Sequence, residues 1–169
     1  VGLTADRYPR GSGTGAVERE EMREIPLGTA DIVRQGPDIA ILSFGTLLSS
    51  ALEAGEKLNA TVVNMRFVKP IDEALIRDIA SQVGLFITVE ENVVAGGAGS
   101  AVNEFIAAAS LGVPVLNLGI PDRYIEHGTQ ASQLAQCGLD AAGIAKSIMA
   151  SPYYQTLFQA NKEQQTSSV

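Results

Sequence analysis

The sequence predicts an α/β domain: a mixed, mostly parallel five-stranded sheet with one antiparallel edge strand and helices on both faces. Short β-rich runs alternate with stretches of helical period over residues 38–150, as expected of strands joined by helical crossovers. Two of the runs, "DIAILSF" (38–44) and "LFITVEE" (85–91), are largely apolar without a break, the pattern of strands buried on both faces. The first strand reaches the second through "QGPD" alone, too short for a crossover. If the two are neighbours in one sheet they run antiparallel.

The elements follow in order. Residues 1–10 end in "TADRYPR", which reads as the closing strand of something that precedes it; with no initiator Met, the chain has the look of a fragment. Residues 11–25, "GSGTGAVEREEMREI", join a Gly/Ser stretch to a charged run without an apolar period, which is linker composition. Regular structure is expected over residues 26–150, starting with a short strand within "PLGTADIVRQG" (26–36) that stops at Gly36-Pro37. After "DIAILSF" and Gly45, residues Leu47, Leu48, Ala51, Leu52, Gly55 and Leu58 recur at helical spacing, with Thr46 as the expected N-cap. "ATVVNMRFV" (60–68) is the third strand and Lys69-Pro70 breaks it. Asp72 then caps a helix with Leu75, Ile76 and Ile79 on one side.

"LFITVEE" leads through a glycine-rich turn into the helix "SAVNEFIAAAS", and "VPVLNLGI" (113–120) is the fifth strand. A loop, "PDRYIEHG", precedes two further helices, "TQASQLAQCG" and "DAAGIAKSIMAS". Residues 151–169 are expected to hold a helix carrying Tyr153, Tyr154, Leu157 and Phe158, then a disordered polar tail.

Composition narrows the function classes. With 169 residues, 46% hydrophobic and 18% charged, the chain suits a globular domain with a sizeable core. It carries 12 basic against 19 acidic residues, net −7, and no basic stripe, which argues against a nucleic-acid partner. Cys137 is the single cysteine and His127 the single histidine, so an intrachain disulfide and a cysteine metal cluster are excluded. A reducing, intracellular compartment fits best. No apolar run approaches the ~18–20 residues of a membrane span, and no signal peptide is visible in these residues, so no membrane partner is expected.

The stretch "VEENVVAGGAGSAVNEF" (89–105) has the outline of a phosphate-binding strand–turn–helix. Gly97 and Gly99 match the first pair of a Gly-x-Gly-x-x-Gly fingerprint, but the third position is Val102, and no Gly-Lys-Ser/Thr follows. A tight turn that seats a helix on the sheet is the favoured reading, with phosphate binding as the alternative. Glu90 and Glu91 alternate faces if the strand continues, which removes a paired acid/base device; one of them is placed to cap the turn or the helix N-terminus. His127, just before a helix start, reads as structural or cap-like, with general acid/base work as the alternative. Cys137, at a helix end without an activating base, reads as inert. In "DRYPRG", Arg7, Tyr8 and Arg10 lie beside a glycine-rich exit. Two guanidinium groups there are suited to fork onto a phosphate or carboxylate, although isolated arginines usually only solvate a loop.

Taken together, "RYPRG", "ILSFGTLL", "VVNMRFVKPIDEALI", "VEENVVAGGAGSAVNEF", "VPVLNLGIPDRYIEHGTQ" and "GLDAAGI" resemble the C-terminal part of the 1-deoxy-D-xylulose-5-phosphate synthases. These are thiamine-diphosphate-dependent, transketolase-like enzymes, and the resemblance runs over residues 4–150. It implies a transketolase C-terminal-domain-like fold for residues 26–150, with residues 1–10 as the last strand of a preceding pyrimidine-binding domain. It implies a parent transferase, homodimeric, bacterial and cytoplasmic, that condenses pyruvate with D-glyceraldehyde 3-phosphate and releases carbon dioxide, the first step of methylerythritol phosphate isoprenoid synthesis. The product also feeds thiamine synthesis. The parent's thiamine diphosphate and Mg2+ are bound by domains this chain lacks, and no cofactor or metal is expected on the chain itself. The arginine of the family's "YPRG" contacts the substrate phosphate; that position is Arg10. Arg7 is implied to be structural, and no catalytic residue of the family falls within the chain. Asp6 departs from the apolar residue usual before "RYPRG", and the C-terminal tail goes beyond the family pattern. Alone, the chain is expected to be inactive. The rival readings are a non-catalytic, dimer-bracing assembly domain and a free-standing phosphate-binding α/β domain.

Overall fold

The computed structural model describes residues 24–166. Its elements are β1 (Asp31–Arg34), β2 (Asp38–Phe44), a 3-10 turn (Gly45–Leu47), α1 (Leu48–Leu58), β3 (Thr61–Asn64), α2 (Glu73–Ala80), β4 (Val83–Val93), α3 (Ala98–Ala108), β5 (Val115–Ile120), α4 (Gln130–Gln136), α5 (Ala141–Ala150) and α6 (Pro152–Thr166). The sheet has five strands in the order β1-β3-β2-β4-β5. Every pairing is parallel except β1 with β3, so the mixed sheet with one antiparallel edge is as expected from the sequence.

β1 and β2 lie in one sheet and run in opposite directions, but they are not neighbours. β1 pairs with β3, with Asp31 opposite Asn64 and Ile32 opposite Val63, and β2 lies on the far side of β3. The connector manages this by crossing the start of β3. The Gly36 N–H donates to Thr61 Oγ1 at 3.0 Å, and that hydroxyl donates back to the Gly36 carbonyl at 2.6 Å. Arg34 adds Nη2 to Asn59 Oδ1 at 2.9 Å and Nη1 to the Ala60 carbonyl. A Cβ at position 36 would collide with the Asn59 and Ala60 backbone, so glycine is what lets the chain pass so close.

Side-chain alternation along the central strands splits the core into two layers. Ile39 and Ile41 of β2 and Leu85, Ile87 and Val89 of β4 pack with Ala51, Ala54, Ile144 and Ile148 of α1 and α5. Ala40, Leu42 and Phe86 pack on the other face with Ile76, Ile79, Val102 and Ile106 of α2 and α3. Burial of this kind is worth about 1.5–3 kcal/mol for each large side chain, and it fixes register, because a one-residue slip would exchange the two layers.

Helix ends show where local signals held. Asp72 caps α2 by accepting the Leu75 N–H at 3.0 Å, and its second oxygen accepts the Ala30 N–H at 2.9 Å, which ties down the approach to β1. Thr46 does not cap: no side chain caps the 3-10 turn or α1, and the Thr46 hydroxyl donates to Glu91 instead. At the C-terminus, Leu157 of α6 lies over Gly84, and the Tyr154 and Phe158 ring centroids are 4.3 Å apart. α6 extends to Thr166, so regular backbone reaches well into the segment read as a tail. Among the described residues, no helix is long and apolar enough to cross a membrane.

Candidate functional site

In open α/β sheets ligands gather outside the C-terminal ends of the strands, where the chain path reverses direction across the sheet. Here that point falls between β2 and β4, because β2 leads to β3 on one side and the chain then returns to β4 on the other. Phe44-Gly45-Thr46 and the glycine turn that leads into α3 meet there, and two adjacent carboxylates, Glu90 and Glu91, stand towards the end of β4.

They do point opposite ways. Glu90 turns inward and is only 3% exposed. Its Oε2 accepts the Ala98 N–H at 2.6 Å and its Oε1 the Gly99 N–H at 2.9 Å. These are two of the amides that a helix leaves unpaired at its N-terminus, and a negative charge is favoured there. The surrounding glycines make room for the carboxylate. A Cβ on Gly97 would strike Glu90 Oε2 and the Val93 carbonyl, one on Gly99 would lie 2.5 Å from Thr88 Oγ1, and one on Gly119 would lie 2.7 Å from the Asn92 carbonyl and 3.3 Å from Glu90 Cγ. Beneath it, Asn117 Nδ2 donates to Thr88 Oγ1 at 2.7 Å, and Asn103 Nδ2 donates to Asn117 Oδ1 at 2.8 Å. Thr88, Asn103, Asn117 and Gly119 escaped the reading of the sequence. A polar residue in the middle of "VLNLGI" was the available signal, since a polar side chain in a packed strand needs a partner.

Glu91 faces the solvent side. It accepts from the Thr46 hydroxyl through Oε2 and from Gln130 Nε2 through Oε1, the latter at 3.1 Å. These bonds bridge the 3-10 turn after β2, β4 and α4 across the switch point. Beside them is a cleft of about 140 Å3, walled by Ile120, Ile125, Leu134 and Cys137 with Glu91 and Gln130 at its edge. Cys137 is partly buried at the C-terminal end of α4. His127 is exposed and is not the cap of α4; Thr129 is, its hydroxyl oxygen accepting the Ser132 N–H at 3.2 Å. Arg7, Tyr8 and Arg10 lie outside the described residues.

The transketolase C-terminal domain family matches residues 28–144. The chain belongs to that family. It is 54% identical over 147 residues to the 1-deoxy-D-xylulose-5-phosphate synthase of Methylobacillus flagellatus, covering 87% of this chain and 24% of that protein. It is 52% identical over 146 residues to the synthase of the same name from Nitrosospira multiformis, covering 86% of this chain and 24% of that protein. The chain thus spans about a quarter of the length of these curated relatives. A solved structure, "Split gene transketolase, inactive beta4 tetramer", is 31% identical with a TM-score of 0.73, covering 88% of this chain and 48% of that one.

In this transketolase C-terminal domain the switch point does not fit a diphosphate. The α3 N-terminus, the one place in the glycine turn with converging amides, is filled by the buried Glu90 carboxylate, which would repel a second anion at hydrogen-bond range. Nor do the described residues bring three His, Cys, Asp or Glu side chains together as a metal site. What the transketolase C-terminal domain has here is an internal anion standing where a nucleotide-binding relative of the α/β class would place a phosphate.

Proposed function

We propose that this chain is the C-terminal portion of a bacterial, cytoplasmic 1-deoxy-D-xylulose-5-phosphate synthase. That enzyme joins pyruvate to D-glyceraldehyde 3-phosphate with loss of carbon dioxide, and thiamine diphosphate and Mg2+ are held by the parts of the enzyme that precede this chain. The observation that carries the reading is the 54% identity over 147 residues to a synthase of that name. Within the chain, Arg10 binds the phosphate of D-glyceraldehyde 3-phosphate: its planar guanidinium offers two parallel N–H donors to a dianion and keeps its charge at any physiological pH. The domain itself contributes position and assembly, in a homodimeric parent, and no group that moves a proton or forms a bond.

Joining the 169 residues to the preceding three quarters of the Methylobacillus flagellatus synthase tests this. The chimera is expected to form 1-deoxy-D-xylulose 5-phosphate with thiamine diphosphate and Mg2+, and the 169-residue chain assayed alone is expected to form none. A folded chimera without turnover, or an isolated chain that turns over at the rate of a whole synthase, would contradict the proposal. A second reading, a purely assembling domain, is favoured by the similar solved structure, an inactive tetramer of a split-gene transketolase.

A further inference from the structure

We propose that the outer edge of β5 is a pairing surface for a second copy of this chain, the two sheets joining antiparallel across a two-fold axis. This deepens the self-association in the reading above by naming its surface, and it is independent of the enzymatic activity.

The two edges of the sheet differ in kind. β1 is only four residues long, carries Asp31 and Arg34, and is irregular in register between Ile32 and Arg34; short length, charge and irregularity are devices that protect an edge from other chains. β5 has none of them on its outward side. It is six residues long, half-buried at every position and paired with β4 alone. No charged residue occurs between Glu104 and Asp122.

Its outward hydrogen-bonding groups can be named. The Phe86 N–H donates to the Pro114 carbonyl at 3.0 Å, and Ile87 and Val89 stand opposite Leu116 and Leu118. In a parallel ladder alternate residues direct their backbone groups to the same neighbour. Leu116 and Leu118 therefore face β4, while Val115, Asn117 and Gly119 turn their N–H and C=O groups away from the sheet. Among the described residues, nothing bonds to them. A row of alternating donors and acceptors at strand spacing is satisfied by another extended strand.

A second copy supplies one without any new sequence. With Asn117 opposite its own counterpart, Val115 falls opposite Gly119 of the second copy, so every outward group meets its complement, as an isologous contact requires. Pro114 and Pro121 lack an N–H and end the pairing on either side. The Asn117 side chain is already engaged with Thr88 and Asn103, so the contact leaves no new polar group unsatisfied. The surface is uncharged, so the net charge of −7 acts only at longer range, where salt screens it.

The test is sedimentation of the 169-residue chain over a range of concentrations, with residue-resolved amide hydrogen exchange. The expected result is a concentration-dependent dimer in which the Val115, Asn117 and Gly119 amides exchange at least about tenfold more slowly than in dilute monomer, while Leu116 and Leu118 are protected in both. Val115→Pro removes an outward donor from each copy and no bond to β4, and is expected to weaken the dimer about tenfold with the circular dichroism spectrum retained. Val115 also packs against the core layer that holds Phe86 and Val102, so should the proline variant not fold, the concentration dependence of amide exchange in the unsubstituted chain decides the question. A chain that stays monomeric overturns the proposal. So does a dimer whose three outward amides exchange freely, although that result leaves self-association through another surface intact. Protection of those amides independent of concentration also overturns it, because residues of the same chain would then cover the edge.

Discussion

Arg10→Ala, introduced into a full-length synthase carrying this segment, is expected to lower kcat/KM for D-glyceraldehyde 3-phosphate by about ten- to a hundredfold. A hydrogen bond to a charged partner is worth about 1.5–3 kcal/mol, and each 1.36 kcal/mol is about one decade in rate. The loss should concern this substrate alone, because the guanidinium is assigned to its phosphate; the KM for pyruvate is expected to stay within about twofold by the same accounting. Arg10→Lys should fall between the two, since it keeps the charge and loses the planar fork. Steady-state kinetics with each substrate varied in turn checks this. An unchanged KM for D-glyceraldehyde 3-phosphate in the alanine variant would remove Arg10 from the site.

Glu90→Ala is expected to be among the most damaging single changes in the described part of the chain. It strips the Ala98 and Gly99 amides of their acceptor in a place water does not reach, and each unsatisfied buried donor costs about 1–3 kcal/mol. The carboxylate also fills the space that Gly97, Gly99 and Gly119 leave around it, so its removal opens a void beside polar walls. Together these predict a loss of about 2–5 kcal/mol and, for a domain of this size, a Tm lower by roughly 5–15 °C. Glu90→Gln keeps the shape and one acceptor oxygen, and should lose about 1–3 kcal/mol. Thermal and urea unfolding of the three proteins measure the series. A Glu90→Gln Tm equal to or above that of the parent chain would mean that the charge does not hold the turn.

Much of this fold is written in short stretches of sequence, and the parts that are not share a physical cause. β2 was legible to the residue, because a strand buried on both faces is an unbroken apolar run. The Asp72 cap was legible because the side chain bonds an amide three residues away. The opposite directions of Glu90 and Glu91 followed from alternation alone. What local pattern could not supply was partners distant along the chain. β1 beside β3 depends on Gly36 passing over Asn59 and Ala60, a contact that no local period encodes. Thr46 had the right residue type for a cap and was taken instead by Glu91, 45 positions away. The network from Thr88 through Asn117 to Asn103 joins β4, β5 and α3, so each member looked unremarkable in its own segment. The one substrate contact assigned to the chain, Arg10, rests on the "RYPRG" resemblance and lies outside the described residues.

The glycine turn that resembles a phosphate site is a closed cap, filled by the protein's own Glu90 carboxylate. The backbone amides of Ala98 and Gly99 report on that directly. In the isotopically labelled 169-residue chain, their resonances are predicted to stay in place as inorganic phosphate, and separately Mg2+ with thiamine diphosphate, is added to millimolar concentration. Saturable shifts of both amides, lost in the Glu90→Gln protein or enhanced in it, would show an anion entering the turn and would contradict the account.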